Sequence, residues 1–471
     1  MKRAFDKLLI ANRGEIAVRI IRAAKELGLT TVAIYSDADA DSLAVKMADE
    51  AVRIGPAHAS KSYLDMDAVL QAAVTSGAGA VHPGYGFLSE RADFAQRVED
   101  ASLVFVGPTP HAIRTMGDKA AARAAAMAAG VPTVPGSVGL VADVDAAVEV
   151  AMDVGYPIMI KASAGGGGRG IRIAQDAAEL RVQFATATAE ALAAFGNGDV
   201  YLERFVLRAR HIEVQILGDG QRAVHCFERE CSLQRRRQKV WEEAPSAAIG
   251  EATRVALCES ALKLANAVSY RGAGTLEYLY DDDTHDFFFI EMNTRIQVEH
   301  PITEMVTGID LVREMLLIAL GEPLSLKQED IRLTGSAIEV RINAENAAKN
   351  FMPSPGVVTG LVVPGGPGVR FDSMLYQGYK VPAYYDSLVG KLIVHDKDRK
   401  SALARMRRAL GELKVEGIQT TIPLHRALCD DADVAKAAFH TGFLETWLAA
   451  NTFVDVAKPA PKTAPNTEVP A

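Results

Sequence analysis

Thr275-Leu-Glu-Tyr-Leu-Tyr280 and Phe287-Phe-Phe-Ile-Glu-Met292, joined by Asp281-Asp-Asp-Thr-His-Asp286, decide how this chain reads. Two apolar, aromatic-rich runs around a short polar connection predict the strands of an antiparallel hairpin. Glu277 and Glu291 are equidistant from Thr284, so the hairpin sets them opposite each other on one face. Facing carboxylates repel unless something neutralises them. Leu276 and Tyr278 on one strand, and Phe288, Phe289 and Ile290 on the other, predict a buried sheet, where unpaired carboxylates are costly. A bound Mg²⁺ resolves this, because that ion favours one or two carboxylates together with nucleotide phosphates. A solvated polar face is the competing reading, and the aromatic flanks weigh against it.

Beyond the hairpin, Glu291, Asn293, Arg295, Gln297 and Glu299 alternate with Met292, Thr294, Ile296 and Val298. Period-two alternation puts all five polar groups on one face if the chain stays extended. That face reads as an active-site wall, with Glu299 as general base and Arg295 as anion clamp. An exposed edge strand carries the same pattern, but the Phe-rich neighbourhood makes it the weaker reading.

Upstream, Lys161-Ala-Ser-Ala-Gly-Gly-Gly-Gly-Arg-Gly170 follows the strand candidate Ile158–Ala162. It is neither GxGxxG nor a P-loop. Four glycines between Lys161 and Arg169 read as a phosphate-covering flap rather than a Gly/Ser linker. Gln234-Arg-Arg-Arg-Gln-Lys239 is a dense cationic run; alone it reads as a solvated face, and it gains meaning only beside a polyanion. His82-Pro-Gly-Tyr-Gly-Phe87 is a tight loop at a strand end, where doubly wound sheets bind ligands. A plain turn is almost as good a reading. His211 reads as a satisfied structural histidine. Lys119 opens a helix, where a cation opposes the dipole, a weak hint of a ligand contact.

The first hundred residues alternate strand and helix: Lys7–Ala11, Glu15–Leu27, Thr30–Tyr35, Ala51–Ile54, Ala80–His82 and Leu103–Val106. This predicts an α/β unit with a parallel sheet covered by helices on both faces. The second region begins with the helix Lys119–Ala129, and the third with the alternating Ala337–Ile342. The chain of 471 residues is 49% apolar and carries a formal net charge of −8, which argues against a nucleic-acid binder. Cys226, Cys231, Cys258 and Cys429 form no CxxC or zinc pattern and read as reduced structural thiols. No signal-like start and no run of ~18 apolar residues occurs, so the cytoplasm is the expected compartment and no membrane contact is expected. The Pro-rich end is expected to be disordered.

These residues together resemble the biotin carboxylases, which are ATP-grasp enzymes. The resemblance rests on Ile10-Ala-Asn-Arg-Gly-Glu-Ile16, His82 to Glu90, Met116-Gly-Asp-Lys119, Lys161–Gly170, Arg271-Gly-Ala-Gly-Thr275, Glu291 to Pro301, Arg341-Ile-Asn-Ala-Glu345 and Tyr384-Tyr-Asp-Ser387. It covers about Lys7 to Leu448. It implies an α/β (overall α+β) architecture: a Rossmann-like preATP-grasp domain over 1–117, an ATP-grasp domain over 118–334 with a mobile lid near 134–206, and a C-terminal biotin carboxylase domain over 335–448. A disordered tail would fill 449–471.

By position, the resemblance implies that ATP meets Lys119, Lys161, Gly167, Gly168, Glu203, Arg204, Phe205, Val206, His211, Gln234 and Arg237. Mg²⁺ or Mn²⁺ would bind Glu277 and Glu291, with Asn293 nearby. Bicarbonate would meet Lys239, Arg295, Gln297, Val298 and Glu299, with Glu299 taking its proton. Arg341 would stabilise the biotin enolate, and Tyr85 and Gly86 would border the biotin. No Ala-Met-Lys-Met biotin-attachment segment occurs, so biotin is expected in trans on a carrier protein. A carboxyltransferase would complete the complex, as in acetyl-CoA carboxylase of fatty acid synthesis or a relative acting on another acyl-CoA or pyruvate. The family also implies a homodimer.

Departures exist. Arg237 stands where the family has a histidine, Ala164 where it has a glycine, and Ala209 where proline is common. An ATP-grasp carboxylate–amine ligase is the alternative enzyme reading, disfavoured by Lys239, Arg295–Glu299 and Arg341. A silent nucleotide-binding subunit of a carboxylase complex is disfavoured by intact Glu277, Glu291, Glu299 and Arg341. A nicotinamide dehydrogenase is disfavoured because no GxGxxG follows the first strand.

Overall fold

The structure, a computed structural model, describes residues 3–163 and 171–451. Strands β1 (Lys7–Ile10), β2 (Thr30–Ser36), β3 (Glu50–Gly55), β4 (Ala80–His82) and β5 (Val104–Phe105) form one parallel sheet in the order β3-β2-β1-β4-β5. Its central strand buries Leu8, Leu9 and Ile10 completely, as a strand covered on both faces must. The helix Gly14–Glu26 turns Ile16, Ile20 and Ala24 inward, as their helical spacing requires. The alternation of strand and helix therefore reads correctly as a doubly wound unit. After β4 the loop passes Gly84 at φ +62°, where a Cβ would sit 2.8 Å from the Asn12 amide nitrogen. That nitrogen donates to the Pro83 and Tyr85 carbonyls at 2.7 and 2.8 Å, so only glycine fits there.

Strands β6 (Ile158–Ala162), β7 (Ile171–Ala174) and β8 (Val200–Arg204) form a separate three-stranded antiparallel sheet in the order β7-β6-β8. Helices Val144–Val154 and Ala177–Phe195 back it, and it has its own small core around Ile158, Ile160, Leu180 and Leu202. The glycine flap, with Ala164, Gly167, Gly168 and Arg169, lies outside the described residues.

The largest sheet has eight antiparallel strands. It contains β9 (Ala209–Asp219), β10 (Ala223–Arg235), β11 (Gln238–Ala244), β12 (Arg271–Asp281), β13 (Phe287–Asn293), β14 (Ser336–Asn343) and the strands Val369–Ser373 and Leu388–Asp396. The order is β13-β12-β9-β10-β11-β14, then Leu388–Asp396, then Val369–Ser373. The sheet runs without a break past the expected boundary at 334/335: β11 pairs with β14, Trp241 facing Val340 and Glu242 facing Glu339. Helix Arg399–Glu412 packs Met406 and Leu410 beneath Trp241, Leu392 and Val394 in one core. The last helix, Phe443–Ala450, reaches two residues into the segment expected as tail.

Two sequence expectations need correction. The hairpin does pair Glu277 with Glu291, but a bulge follows, and Tyr278 faces Phe289. The extra residue, Ile290, is thereby expelled and is 41% exposed, not part of the buried sheet. Nor does the chain stay extended to Glu299. Strand β13 stops at Asn293, and Glu299, at φ −82° and ψ 8°, is the cap residue of the helix His300–Thr307. Pro301 in the first turn favours that start. Glu299 reaches the site through this turn and not by strand alternation.

Candidate active site

The centre of the site is Lys239, on β11 just beyond the β10–β11 hairpin. Its ammonium donates to Glu213 at 2.5 Å, Glu277 at 2.9 Å and Glu299 at 2.7 Å. Glu213 and Glu277 face each other on β9 and β12, so three strands and one helix cap converge on a single cation. Burial favours the neutral form of Glu299. The opposing charges of Lys239, Arg341 and Arg229 outweigh it and hold the carboxyl below its usual range. Arg341, on β14, donates to the other oxygen of Glu299 at 2.9 Å and to Glu242 at 2.6 Å. Burial lowers the proton affinity of Arg341, but Glu242 and Glu299 raise it further, so it stays charged. Glu299 is thus an ionised, 2% exposed carboxylate with a cation on each oxygen.

Below it lies a second layer. Arg229 is fully buried and donates to Glu213, Gln215, Thr303, Thr275 and Gln297 at 2.7–3.2 Å. The Gln297 amide in turn donates to Glu277 at 2.9 Å. Asn293 donates to Glu277 at 2.8 Å and accepts from Arg295 at 2.8 Å, and Arg295 also lies 3.4 Å from Glu90. Tyr85, Gly86, Lys239, Arg295, Val298 and Arg341 line one cavity of about 580 Å³. Tyr85 donates to the buried Glu15 carboxylate.

His211, on β9, lies 3.3 Å from Glu277 and 3.5 Å from Glu213. Burial lowers its pKa, yet the nearby Glu277 and Glu213 carboxylates outweigh that and raise it to about 9. It sits between two carboxylates, more than the inert histidine the sequence suggests. Glu291 is different. Burial and the Glu277 charge raise its proton affinity, and among the described residues no hydrogen-bond donor reaches its carboxylate. The charges of Lys119, exposed at its helix N-terminus, and of His211 work the other way. A like-charge carboxylate pair, Glu277 buried and Glu291 half-buried, with the second member unpartnered fits a divalent cation. The set His211, Glu213 and Glu277 also clusters tightly enough for a metal, but Lys239 and Arg229 already neutralise its carboxylates.

The remaining residues expected around a nucleotide are placed as follows. Lys161 on β6 and Glu203 on β8 form an ion pair, with Arg123 at 3.6 Å. Arg204 lies 3.2 Å from Asp281, the Phe205 amide donates to the Pro157 carbonyl at 3.0 Å, and Val206 is buried. Lys161, Glu203 and Arg204 belong to the three-stranded sheet and not to the cavity lining. The Gln234 amide donates to the Cys231 carbonyl at 2.9 Å. Arg237 is exposed in the hairpin turn, where it and Arg236 have φ of +66° and +49°. The cationic run is therefore a tight turn that delivers Lys239 inward.

Sequence reading missed Glu213, Arg229 and Glu242. The available signal was charge inside strand-length apolar runs, as in Cys226-Phe-Glu-Arg-Glu-Cys231. The cysteines are free and buried; burial pushes the Cys226 thiol up to about 12, so it is inert. Among the described residues no helix is long and apolar enough to cross a membrane.

Comparison with known proteins places this arrangement. Residues 4–113 match the biotin carboxylase N-terminal domain, 118–327 the ATP-binding domain of the carbamoyl-phosphate synthase L chain, and 339–446 the biotin carboxylase C-terminal domain. The chain belongs to the biotin carboxylase family. It is an ATP-dependent ligase. Biotin carboxylase 1 of Bacillus subtilis is 53% identical over 442 residues, 94% of this chain and 98% of that protein. Biotin carboxylase of Pseudomonas aeruginosa is 55% identical over 442 residues, 93% and 98% of the two chains. Among solved structures, the Campylobacter jejuni biotin carboxylase–β,γ-ATP complex matches with a TM-score of 0.87 and 46% identity, covering 94% of this chain and 99% of its own. The biotin carboxylase domain dimer of Hydrogenobacter thermophilus 2-oxoglutarate carboxylase, with MgADP, ADP and bicarbonate, also scores 0.87 at 46% identity and covers 97% and 100%.

Proposed function

We propose that this chain carboxylates biotin on a separate carrier protein with MgATP and bicarbonate, through carboxyphosphate, in the cytoplasm. The observation that carries the reading is Glu299, a buried carboxylate held ionised between Lys239 and Arg341 at the wall of the cavity. Glu299 takes the bicarbonate proton while Arg295 and Lys239 hold the anion and Gln297 and Val298 shape its seat. The freed bicarbonate oxygen attacks the γ-phosphorus and ADP leaves. Glu277 and Glu291, with Asn293 beside them, would hold Mg²⁺ or Mn²⁺, which supplies charge neutralisation at the phosphates. Carboxyphosphate then breaks to CO₂ and phosphate, and the phosphate accepts the N1 proton of biotin. Arg341 stabilises the resulting enolate, which attacks CO₂ beside Tyr85 and Gly86.

Lys119, Lys161, Glu203 to Val206, His211, Gln234 and Arg237, with the flap at Gly167 and Gly168, are assigned to ATP. The division into 1–117, 118–334 and 335–448, a homodimer, and a carboxyltransferase partner acting on acetyl-CoA, another acyl-CoA or pyruvate belong to the same proposal. The dimer finds support in the dimeric Hydrogenobacter domain. The test is ADP release with and without bicarbonate and free biotin. Release that needs bicarbonate, rises with biotin and drops about 10²–10⁴-fold in Glu299→Gln supports the proposal. Release indifferent to both reagents overturns the substrate assignment and returns the amine-ligase alternative.

A further inference from the structure

Lys391 lies on the strand Leu388–Asp396 and is completely buried. A buried ammonium is costly unless it is closely paired. Its shortest hydrogen bond, 2.6 Å, goes to the backbone carbonyl of Val298. The Glu15 carboxylate lies farther away, at 3.2 Å. On the paired strand, both carboxyl oxygens of the buried Glu339 have no hydrogen-bond partner. Burial raises its proton affinity well above the usual range. Although Glu15, Glu339 and Asp372 all surround it, the closest contact of the Lys391 ammonium is thus the neutral Val298 oxygen.

The Val298 carbonyl belongs to the same planar peptide as the Glu299 amide, so fixing the oxygen fixes the start of Glu299. The preceding carbonyl, that of Gln297, is held too, at 2.6 Å from His300 Nδ1. Burial and the neighbouring cations Lys391, Arg19 and Arg370 keep His300 neutral, with one ring N–H to donate. The two peptides leading into Glu299 are thus pinned by two buried side chains. Lys391 also faces Arg341 directly across the strand pair, and Arg341 is the arginine that grips Glu299.

We propose that Lys391 is a positioning residue for the reaction: by holding the Val298 carbonyl against the strand paired with Arg341, it fixes the Glu299 carboxylate between Lys239 and Arg341. This rests on the proposed role of Glu299. The test uses the full chain with Lys391→Met and Lys391→Gln, the second retaining a neutral donor. Hydrogen exchange by mass spectrometry over residues 294–306 reads the turn independently of activity. In Lys391→Met, exchange in that segment accelerates at least ~10-fold while the strand Leu388–Asp396 changes little. Bicarbonate-dependent ADP release loses about 10²-fold in kcat, the scale of a 1 Å misplacement, with the KM for ATP within about twofold, and Lys391→Gln recovers about tenfold of kcat. Wild-type exchange at 294–306 with kcat within about threefold would overturn the proposal. Exchange accelerated throughout the protein, or both variants failing to fold, would overturn it as well, by showing a purely structural lysine. If the wild-type protein shows no biotin-stimulated turnover, the functional reading fails, and the exchange arm still decides whether Lys391 holds the turn.

Discussion

Replacing Arg229 by methionine keeps most of the side-chain volume and removes five hydrogen bonds from a fully buried position. Glu213 keeps Lys239 at 2.5 Å and His211 at 3.5 Å, so its charge is not stranded altogether. Gln215 and Gln297 lose the donor to their carbonyl oxygens. Removing one partner of a buried ion pair costs ~3–5 kcal/mol, and each orphaned neutral acceptor adds ~1–3 kcal/mol. The apolar methionine offsets ~2 kcal/mol of this by burial. The net loss is about 6 kcal/mol, equivalent to a fall in Tm of roughly 6 °C for a chain of this length. Calorimetry and urea titration of the two proteins measure it, with Arg229→Lys as the charge-retaining control. Lysine lacks the planar fork and recovers about half of the loss. A fall of under ~2 °C in Arg229→Met, with an unchanged denaturant slope, refutes the reasoning, because it would mean that the network below Lys239 contributes nothing.

Glu291→Gln raises the Mg²⁺ concentration for half-maximal ADP release by tenfold or more, ~1.4 kcal/mol, while metal-free Tm stays level or rises because a buried repulsion is removed; an unchanged Mg²⁺ requirement contradicts the metal assignment. Arg237→His keeps activity and changes the KM for ATP, since both side chains can meet phosphate but only arginine does so bidentately; an unchanged KM removes Arg237 from the ATP site. His82 is fully buried, and burial depresses its pKa to about 3. The unfolded chain therefore binds a proton that the folded one refuses, so stability present above pH ~6.5 is lost on acidification towards pH ~3, by ~1.4 kcal/mol per pH unit. His82→Asn, whose side-chain oxygen replaces the acceptor for the Gly84 amide, has an acid limb shallower by that slope in denaturant titrations; parallel limbs refute it.

The parts legible in the sequence are those with a local cause. The βαβ alternation predicts the parallel sheet because each strand and helix declares itself within about ten residues. The pairing of Glu277 with Glu291 is read correctly from a short connection. Yet the same symmetry misplaces Ile290, because a bulge has no signature in an all-aromatic run. Glu299 reaches the cavity wall by another path than the expected one: alternation predicts its face, whereas a helix start at Pro301 places it. What stayed hidden depends on distant pairing. Glu242 and Arg341 are 99 residues apart in sequence and become neighbours only because β11 and β14 share a sheet. Arg229, Glu213 and Lys391 are charges in strand interiors, and their meaning comes from partners that no local pattern reveals.

The unbroken passage of the eight-stranded sheet across 334/335 also governs how this polypeptide tolerates being cut. Severed there and produced as two pieces, each fragment would present one naked strand, β11 or β14, with a row of unpaired amides and carbonyls and a flank of Trp241, Ile338 and Val340. Such edges recruit other chains. The fragments would have to meet each other before they met themselves, and reconstitution would compete with aggregation at every concentration. A topological seam that looks convenient in one dimension is, in three, the middle of a load shared by both halves.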